Sequence, residues 1–306
     1  MPDIIHLKEV LPDSVRKVNF WNSANTTITL LRFPFSLFLL PVSLFSFVFI
    51  APEFPGSTIA LLAVWHILVF PSSNGYNSYH DRDTGPVGGL SSPPQPGRSL
   101  LQTCNFMDVA AIIISLAISI QFAVFVTCYI IVSRLYSNRE IRLKQYPVTG
   151  FLVVFIFQGF WVFLANVYAL APHLMSSSDS ILVAAVASSF FIGAIYPITQ
   201  IYQHNADKAD GVRSLSILLG KKWTFAFTGI LFLLATISIY FAFNLHHIPE
   251  NFLLFNLMML PSIVFFIYWA YNSMRDHSHI NFRNTMVMLI LSSGLLNLYF
   301  LILLIK

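Results

Sequence analysis

The chain alternates long apolar stretches with short polar segments. Seven stretches are each close to the 20 or so residues that an α-helix needs to cross a bilayer core of roughly 30 Å. They cover residues 28–51, 57–74, 147–171, 180–203, 223–244, 252–271 and 285–305. An eighth stretch, 106–136, is long for one such helix and short for two. The pattern predicts a polytopic helical membrane protein, because a membrane β-barrel shows short alternating segments instead.

Basic residues decide how many helices the 106–136 stretch forms. If it makes two helices that turn near residues 119–122, and the amino terminus is cytoplasmic, the Lys- and Arg-containing loops all fall on the cytoplasmic side. The loops 52–56, 172–179 and 245–251 on the other side contain neither residue. Cytoplasmic loops carry an excess of Lys and Arg. The sequence therefore predicts an all-α fold of nine transmembrane helices with the carboxyl terminus outside.

Composition agrees with a membrane location. Hydrophobic residues make up 56% of the 306 residues and charged residues only 10%, against roughly 25% charged in soluble proteins. Cys104 and Cys128 are too few for a disulfide framework or a metal site. Residues 1–27 lack the continuous apolar core of a signal peptide. We expect them to form a cytoplasmic or interfacial segment, with Arg16 and Lys17 at the lipid headgroups, within a single transmembrane domain over residues 1–306.

A first cluster of polar residues closes the second apolar stretch, at residues 74–85. If the helix continues through it, Asn74, Asn77 and Asp81 fall at i, i+3 and i+7 and share one face. His80 and Asp83 belong to the same cluster. A loop rich in Gly, Pro and Ser follows and is predicted to be irregular.

A second cluster repeats the arrangement at residues 203–211. Gln203, Asp207 and Asp210 fall at i, i+4 and i+7, with His204 and Lys208 between them. The predicted topology places both clusters on the cytoplasmic side of the membrane. Charges beside a membrane span often mark only the point where the chain enters water, but two clusters at helical spacing on one side favour a shared site.

The residue types in the two clusters suit a metal-bound anion. Carboxylate and amide oxygens that form an incomplete cage are typical of Mg²⁺, which takes further ligands from water and phosphate. Cations near the clusters would neutralise a diphosphate leaving group. We therefore predict metal ligation by Asn77, Asp81, Asp83, Asp207 and Asp210, further polar ligands in Asn74 and Gln203, and diphosphate binding by Arg32, Arg142, Lys144, Lys208 and Arg213. His80 and His204 are candidate catalytic bases because histidine titrates near neutral pH.

Several segments resemble motifs of the UbiA superfamily of intramembrane prenyltransferases. The segment Asn-Ser-Tyr-His-Asp-Arg-Asp-Thr-Gly at 77–85 is similar to its first motif, Asn-Asp-x-x-Asp-x-x-x-Asp, and departs from it at Ser78 and Gly85. The segment 203–220 is similar to its second motif, Asp-x-x-x-Asp, with Gln203 in place of the first acid. The segment 136–144 resembles its Tyr-Ser-x-x-x-x-(Arg/Leu)-Lys motif, and Arg32-Phe33-Pro34 resembles its Arg-x-Pro.

The resemblance implies nine helices around a central cavity and an Mg²⁺-dependent transfer of an isoprenoid group. The donor would be a prenyl diphosphate and the acceptor an aromatic or other lipophilic molecule. Expected partners are these substrates and membrane lipids, with no nucleic acid. The expected location is the bacterial inner (cell) membrane, with the active site facing the cytoplasm.

Other functions are compatible with a polytopic membrane protein. A transporter or channel would carry polar residues through the spans to the far side, whereas here they concentrate at one side. A phosphatidyltransferase would need an Asp-Gly-x-x-Ala-Arg pattern, which the segment 210–213 does not supply. A divergent UbiA-like protein without catalysis is the remaining alternative, because the first motif lacks two of its usual acids.

Overall fold

The computed structural model describes residues 13–52, 56–176 and 179–306, with side chains described from residue 22 onward except at 176. The expected interfacial placement of residues 1–12, and of the side chains of Arg16 and Lys17, lies outside the described residues. The helices are α1 (Asp13–Leu31), a 3₁₀ segment (Phe33–Phe38), α2 (Leu40–Ile50), α3 (Gly56–Asp81), α4 (Arg98–Ile118), α5 (Ile120–Ser137), α6 (Pro147–Leu170), α7 (Asp179–Gln200), α8 (His204–Ala209), α9 (Leu215–Leu245), α10 (Asn251–Arg275) and α11 (Phe282–Ile305). Short 3₁₀ turns cover Leu143–Gln145, Pro172–Ser176 and His277–His279.

The predicted fold class is confirmed. Within the described ranges, 8 helices are long and apolar enough to span a bilayer, and a bent pair makes a ninth. The 106–136 stretch divides as predicted: α4 ends before Ser119, whose extended backbone caps α5 and whose Oγ accepts a hydrogen bond from Phe122 N at 3.1 Å. The start of α4 differs from the prediction, because the polar residues from Arg98 onward are also helical.

The first apolar stretch is not the single straight helix that was predicted over 28–51. Arg32 adopts a left-handed backbone conformation with φ 50°, a 3₁₀ segment follows, and the chain bends by 43° into α2. Pro34 and Pro41 contribute to this break because neither has a backbone N–H for the helical hydrogen bonds. Ser36 Oγ reaches two carbonyl oxygens there, Phe33 O at 2.7 Å and His66 O at 3.1 Å, which anchors the bend to α3.

Helices α6 and α7 pack with their backbones in close contact. A Cβ atom at Gly159 would overlap the backbone of Ser189, so a larger residue would force the two helices apart. This contact occurs in a π-helical segment of α6, Phe155–Trp161. Ser189 Oγ donates to Phe155 O at 2.7 Å and accepts from Phe160 N at 2.9 Å. It thus bonds backbone groups that the wider turn leaves without the usual helical partners, and α6 and α7 form one continuous wall of a cavity.

Candidate functional site

The two predicted polar clusters meet at one end of the helix bundle. They line a cavity of about 420 Å³, called here the outer cavity, between the end of α3 and the segment after α7. Its lining includes Asn77, Asp81, Asp83, Lys144, Gln203, Asp207 and Asp210. Segments more than 120 residues apart in sequence therefore contribute carboxylates to one polar space.

Asp81 is held by two cations from the segment that follows α5. Lys144 Nζ forms an ion pair with Asp81 Oδ2, and Arg142 Nη2 lies 3.5 Å from Asp81 Oδ1. Lys144 Nζ also donates to Asn77 Oδ1 at 3.2 Å. Arg142 has a left-handed backbone conformation with φ 47°, immediately before the 3₁₀ turn Leu143–Gln145. This local turn presents both cations to the end of α3.

Arg142 also binds the second cluster. Its guanidinium forms an ion pair with Asp210 Oδ2, and its Nη1 donates to Asp210 O at 2.9 Å. Arg139 Nη2 lies 3.4 Å from the other carboxylate oxygen of Asp210. Because Arg142 contacts both Asp81 and Asp210, it links the two clusters directly.

Asp83 and Asp207 have no ion-pair partner among the described residues. Burial raises the pKa of Asp83, and the neighbouring charge of Asp81 raises it further. Burial also raises the pKa of Asp207 to about 6, with a contribution from the negative charges of Asp81 and Asp83. Negative charge is thus crowded in a space that a cation would stabilise.

This donor set fits Mg²⁺. Within the described residues no three His, Cys, Asp or Glu side chains are grouped closely enough to form a protein cage around a metal ion. An incomplete set of carboxylate and amide oxygens is what Mg²⁺ requires when water and substrate phosphate supply its other ligands. Asp83 and Asp207 are the carboxylates that a metal ion would reach without displacing a protein cation.

The outer cavity adjoins a second, inner cavity of about 230 Å³. The two cavities share Asn77, Tyr136, Tyr196 and Gln203 in their linings. Beyond these residues the inner cavity is walled mainly by apolar side chains, among them Phe35, Phe38, Val154, Phe157, Ile192 and Leu289. The combined space is therefore polar at one end and apolar toward the middle of the bundle.

Arg32, Asn74 and Gln203 lie at the cavities, where the side chains of Arg32 and Gln203 donate to backbone carbonyls. Arg32 is buried and lines the inner cavity, where its Nη2 donates to Asn74 O at 3.0 Å and its Nη1 to Gly88 O at 3.4 Å. Gln203 Nε2 donates to Pro86 O at 3.1 Å. These bonds hold the irregular loop after α3 over the two cavities, and the predicted irregularity of this loop is confirmed.

Four predicted site residues line neither cavity and, among the described residues, form no ion pair with the carboxylates of the outer cavity. The His80 ring packs against the Tyr76 ring, with centroids 4.4 Å apart. His204 Nε2 lies 2.8 Å from Ser216 Oγ, and burial lowers the pKa of His204 to about 4. Lys208 and Arg213 are exposed and are absent from the lining. The geometry therefore does not bring these four side chains to the carboxylates.

Sequence analysis missed two tyrosines at the junction of the cavities. The hydroxyl groups of Tyr136 and Tyr196 are hydrogen-bonded to each other, and both residues line both cavities. The sequence shows Tyr136 as the first residue of the Tyr-Ser motif at 136–144, but it does not show that the hydroxyl reaches a cavity. Tyr196 lies inside an apolar stretch, where a tyrosine counts as a hydrophobic residue and its hydroxyl is easily overlooked.

A partly buried ion pair was also missed. Arg134 Nε donates to Asp108 Oδ2 at 2.8 Å, and Ser72 Oγ donates to Asp108 Oδ1 at 2.6 Å. The Arg134 guanidinium lies over the Tyr76 ring, 3.9 Å from its centroid. This network joins α3, α4 and α5 just behind the face of α3 that lines the cavities. An acid and a base inside predicted membrane spans were the available signal.

Comparison with solved structures shows the same fold in other membrane proteins. A UbiA homologue from Archaeoglobus fulgidus bound to DMAPP and Mg²⁺ superposes with a TM-score of 0.67 at 18% identity, covering 91% of this chain and 99% of that one. The structure of a UbiA homologue from the same organism bound to GPP and Mg²⁺ superposes with a TM-score of 0.65 at 17% identity. The match covers 92% of this chain and 100% of that one. A digeranylgeranylglyceryl phosphate synthase structure superposes with a TM-score of 0.60 at 17% identity. The match covers 93% of this chain and 98% of that one.

Sequence comparisons give the family. A search of the curated proteins returns no significant match. The sequence model of the UbiA prenyltransferase family, however, matches residues 38–293. This match extends from the 3₁₀ segment after α1 into α11 and includes both polar clusters. The chain belongs to the UbiA prenyltransferase family.

Proposed function

We propose that this protein is an Mg²⁺-dependent intramembrane prenyltransferase, which moves an isoprenoid group from a prenyl diphosphate to a lipophilic acceptor. The observation that carries the proposal is that the acidic outer cavity adjoins the mainly apolar inner cavity, with lining residues in common. A prenyl diphosphate has the same two parts, a charged head and an apolar tail. Family membership and the prenyl diphosphates and Mg²⁺ bound by the Archaeoglobus fulgidus homologue support the same assignment.

The carboxylates of the outer cavity would hold Mg²⁺ on the diphosphate. Asp83 and Asp207 are the first candidates, because neither forms an ion pair with a described residue, and Asn77, Asp81 and Asp210 complete the set. When bound, Mg²⁺ supplies positive charge that stabilises the leaving diphosphate. The predicted metal role of Asp210 competes with its ion pair to Arg142, so binding at Asp210 requires Arg142 to exchange partners.

Lys144 and Arg142 are placed to follow the charge as it moves to the leaving group. The bond between the first prenyl carbon and the diphosphate oxygen breaks, and its electron pair stays on the oxygen. Lys144 lines the outer cavity, and Arg142 contacts the Asp81 and Asp210 carboxylates in its wall, so both cations lie close to the developing charge and would lower its energy. Lys208 and Arg213 would act only at longer range, because both are exposed.

The resulting allylic cation would lie in the inner cavity. Phe35, Phe38 and Phe157 line that cavity, and aromatic faces attract a desolvated cation. The apolar wall excludes water, which would otherwise capture the cation. Carbon–carbon or carbon–oxygen bond formation to the acceptor consumes the cation, and the acceptor then loses a proton. His80 and His204, predicted as bases for this step, do not line either cavity, so we assign the proton to diphosphate oxygen or water.

Asp83 compensates for the unusual first motif in this proposal. Ser78, which stands where the family commonly has an acid, is buried and lies outside the lining of the outer cavity. Gly85, the other departure, does line that cavity but offers no carboxylate. Asp83 lies two residues earlier and lines the same space. A single displaced carboxylate thus replaces one that the motif has lost.

Purified protein in lipid nanodiscs, incubated with Mg²⁺, prenyl diphosphates of several lengths and a host lipid extract, tests the proposal. We expect release of diphosphate and a lipid product heavier by one prenyl group. The Asp83→Asn variant should lose this activity, whereas Glu140→Gln, at an exposed acid near the cavity, should keep it. Binding of prenyl diphosphate without any turnover would contradict the proposal and favour the divergent, non-catalytic alternative.

The orientation of the site is a separate proposal. Charge placement predicts that the outer cavity faces the cytoplasm, and the membrane is taken to be the bacterial inner (cell) membrane. Glu140→Cys and Glu250→Cys, each in a variant whose two native cysteines are replaced by serine, present thiols at exposed positions near opposite ends of the bundle. A membrane-impermeant maleimide added to intact cells should label the cysteine at 250 and not the one at 140. The reverse pattern would overturn the orientation.

A further inference from the structure

The short helix α8 carries one carboxylate of the outer cavity and is followed directly by another. It comprises His204–Ala209, with Asp207 inside it and Asp210 as the next residue. A helix of this length is not stable by itself in water, and none of its residues is buried. Contacts with neighbouring segments must therefore fix where α8 places its carboxylate.

Contacts with three different segments hold α8. Gln203, just before it, bonds to the loop after α3, and Asp210, just after it, is bound by Arg142. Between them, His204 Nε2 lies 2.8 Å from Ser216 Oγ of α9. Gln203 and Asp210 line the outer cavity, so a bound ligand can exchange with either of their contacts. His204 and Ser216 line neither cavity, so their hydrogen bond can persist when the cavities are filled.

The hydroxyl that meets His204 belongs to a buried chain of hydrogen bonds. Ser216 Oγ lies 3.1 Å from Thr224 Oγ1, which donates to Gly220 O at 2.8 Å. Neither Ser216 nor Thr224 is exposed to solvent. Gly220 has a non-helical backbone with φ 74° and interrupts α9. The two hydroxyls join the parts of α9 on either side of this break, so His204 is anchored to a fixed point in a membrane-spanning helix.

The position of Asp207 depends on this anchor. His204 and Asp207 are three residues apart in α8, so they lie within one helical turn of each other. Among the described residues, His204–Ser216 is the one side-chain hydrogen bond between α8 and α9. Asp207 forms no ion pair with any described residue. Its place in the cavity wall is therefore determined by the helix that carries it and not by a cation.

We propose that His204 is a positioning residue, whose hydrogen bond to Ser216 docks α8 on α9 and keeps Asp207 in the wall of the outer cavity. Its importance for metal binding rests on the proposed function, whereas the docking of α8 does not require prenyl transfer. A hydroxyl can donate to an imidazole nitrogen or accept from it, so the contact does not depend on one protonation state. His204 thereby serves the site without touching the substrate.

A distance measurement tests the docking. Spin labels are attached to Asn205→Cys and Glu140→Cys, both at exposed positions, in full-length protein whose two native cysteines are replaced by serine. The distance distribution in nanodiscs without metal should be narrow in the wild-type background and broader with His204→Ala. His204→Gln should restore the narrow distribution, because the glutamine amide can take the place of Nε2. An unchanged distribution with His204→Ala would overturn the proposal.

Metal binding tests the consequence for Asp207. The same full-length protein is titrated with Mn²⁺ as a paramagnetic substitute for Mg²⁺, and the free ion is measured by electron paramagnetic resonance. His204→Ala should weaken Mn²⁺ binding by about threefold to tenfold, the effect of losing one hydrogen bond. Ser216→Ala should weaken it equally, and the double variant no further, because both substitutions remove the same contact. His204→Gln should bind Mn²⁺ like the wild type.

Thr236→Val is the matched control. Thr236 also lies in α9, but its hydroxyl donates to Phe232 O at 2.9 Å within that helix. Its loss should change neither the distance distribution nor the affinity for Mn²⁺. A lower melting temperature of His204→Ala with unchanged Mn²⁺ affinity would show a merely structural role and overturn the proposal, as would additive effects in the double variant.

The proposed function and the role of His204 fail separately. If the wild-type protein bound no Mn²⁺, the proposed metal site would be contradicted. The distance distributions of the wild type, His204→Ala and His204→Gln would still decide whether His204 docks α8, because they are recorded without metal or substrate.

Discussion

Two ion-pair networks connect helices in the part of the chain that the structure describes, and they differ in what they face. The first, the mouth network of Asp81, Arg142, Lys144 and Asp210, borders the outer cavity of about 420 Å³. The second, the pair of Asp108 and Arg134, is packed between α3, α4 and α5 against Ser72 and Tyr76. Both consist of carboxylates and basic side chains that are less exposed than most surface charges.

The difference shows how one kind of contact serves two purposes. In the mouth network a carboxylate can exchange its protein cation for a metal ion, and a cation can exchange its carboxylate for a phosphate, because the cavity admits both. The Asp108–Arg134 pair has no such exchange partner. Its effect is to hold α3 in register beside α4 and α5, which positions Asn77 and Asp81 at the cavity. Predictions that separate the two networks follow from this contrast.

The largest effect is expected from Asp81→Ala in the mouth network. Loss of this carboxylate removes a predicted metal ligand and the shared partner of Lys144 and Arg142. Turnover of prenyl diphosphate should fall by about 10²- to 10³-fold, the range found when one preorganised electrostatic group is removed from an active site. Diphosphate release measures the rate, and Glu140→Ala is the control. Full activity with Ala at position 81 would contradict the assigned role.

The Asp108–Arg134 pair should affect stability more than chemistry. Asp108→Ala leaves a partly buried guanidinium without its partner, at a cost of about 3–5 kcal/mol in the free energy of unfolding. The double variant Asp108→Leu, Arg134→Met should recover most of that loss, since apolar side chains of similar size suit a membrane interior. Unfolding in mixed micelles measures both. A double variant as unstable as the single one would show that the pair itself, and not merely its balance of charge, is required.

Asp207 should make stability depend on pH in the absence of metal. Its pKa is raised from 3.8 to about 6 in the folded protein, so between pH 4 and 6 the folded state keeps a proton that the unfolded state has lost. The free energy of unfolding should therefore decrease as pH rises through this window, by at most about 3 kcal/mol at 1.36 kcal/mol per pKa unit, and then level off.

The comparison of wild type with Asp207→Asn isolates this contribution. The comparison is needed because the pKa of His204 is lowered to about 4. Titration of His204 therefore makes the free energy of unfolding increase with pH over nearly the same range. The difference in melting temperature between the two proteins should change between pH 4 and 6 and stay constant above pH 6.5. A difference that does not vary with pH would rule out the raised pKa.

The smallest effects are expected from cations outside both networks. Lys208 and Arg213 are exposed and do not line the outer cavity, so Lys208→Ala and Arg213→Ala should each change the KM for prenyl diphosphate by less than about threefold, as is typical of exposed, screened charges. Arg142→Gln, measured in the same assay, should have a much larger effect. Equal effects of all three substitutions would mean that the diphosphate binds nearer to α8 than the mouth network indicates.

Much of the architecture was predictable because its causes act on each segment separately. Bilayer thickness sets the length of an apolar helix, and backbone groups in lipid must bond within their own helix. The division of the 106–136 stretch followed from the placement of Lys and Arg in the loops. Helical spacing likewise placed Asn77 with Asp81, and Gln203 with Asp207, on common faces that line the outer cavity.

The tertiary structure decided which polar groups are partners, because distances between remote segments do not follow from local spacing. It brought Arg142 between Asp81 and Asp210, whereas Asp83 and Asp207 form no ion pair with any described residue. It placed His80 and His204 outside the cavities, although both lie within the predicted clusters.

The sequence by itself therefore determined the number of helices, the end of the bundle that carries the acids, and the resemblance to a family. Only the folded chain showed the bend after Arg32, the partly buried pair of Asp108 and Arg134, and the hydrogen-bonded hydroxyls of Tyr136 and Tyr196. Each of these depends on side chains from different helices meeting in space. Hydrophobic length is a property of one segment, whereas a binding site is a property of several.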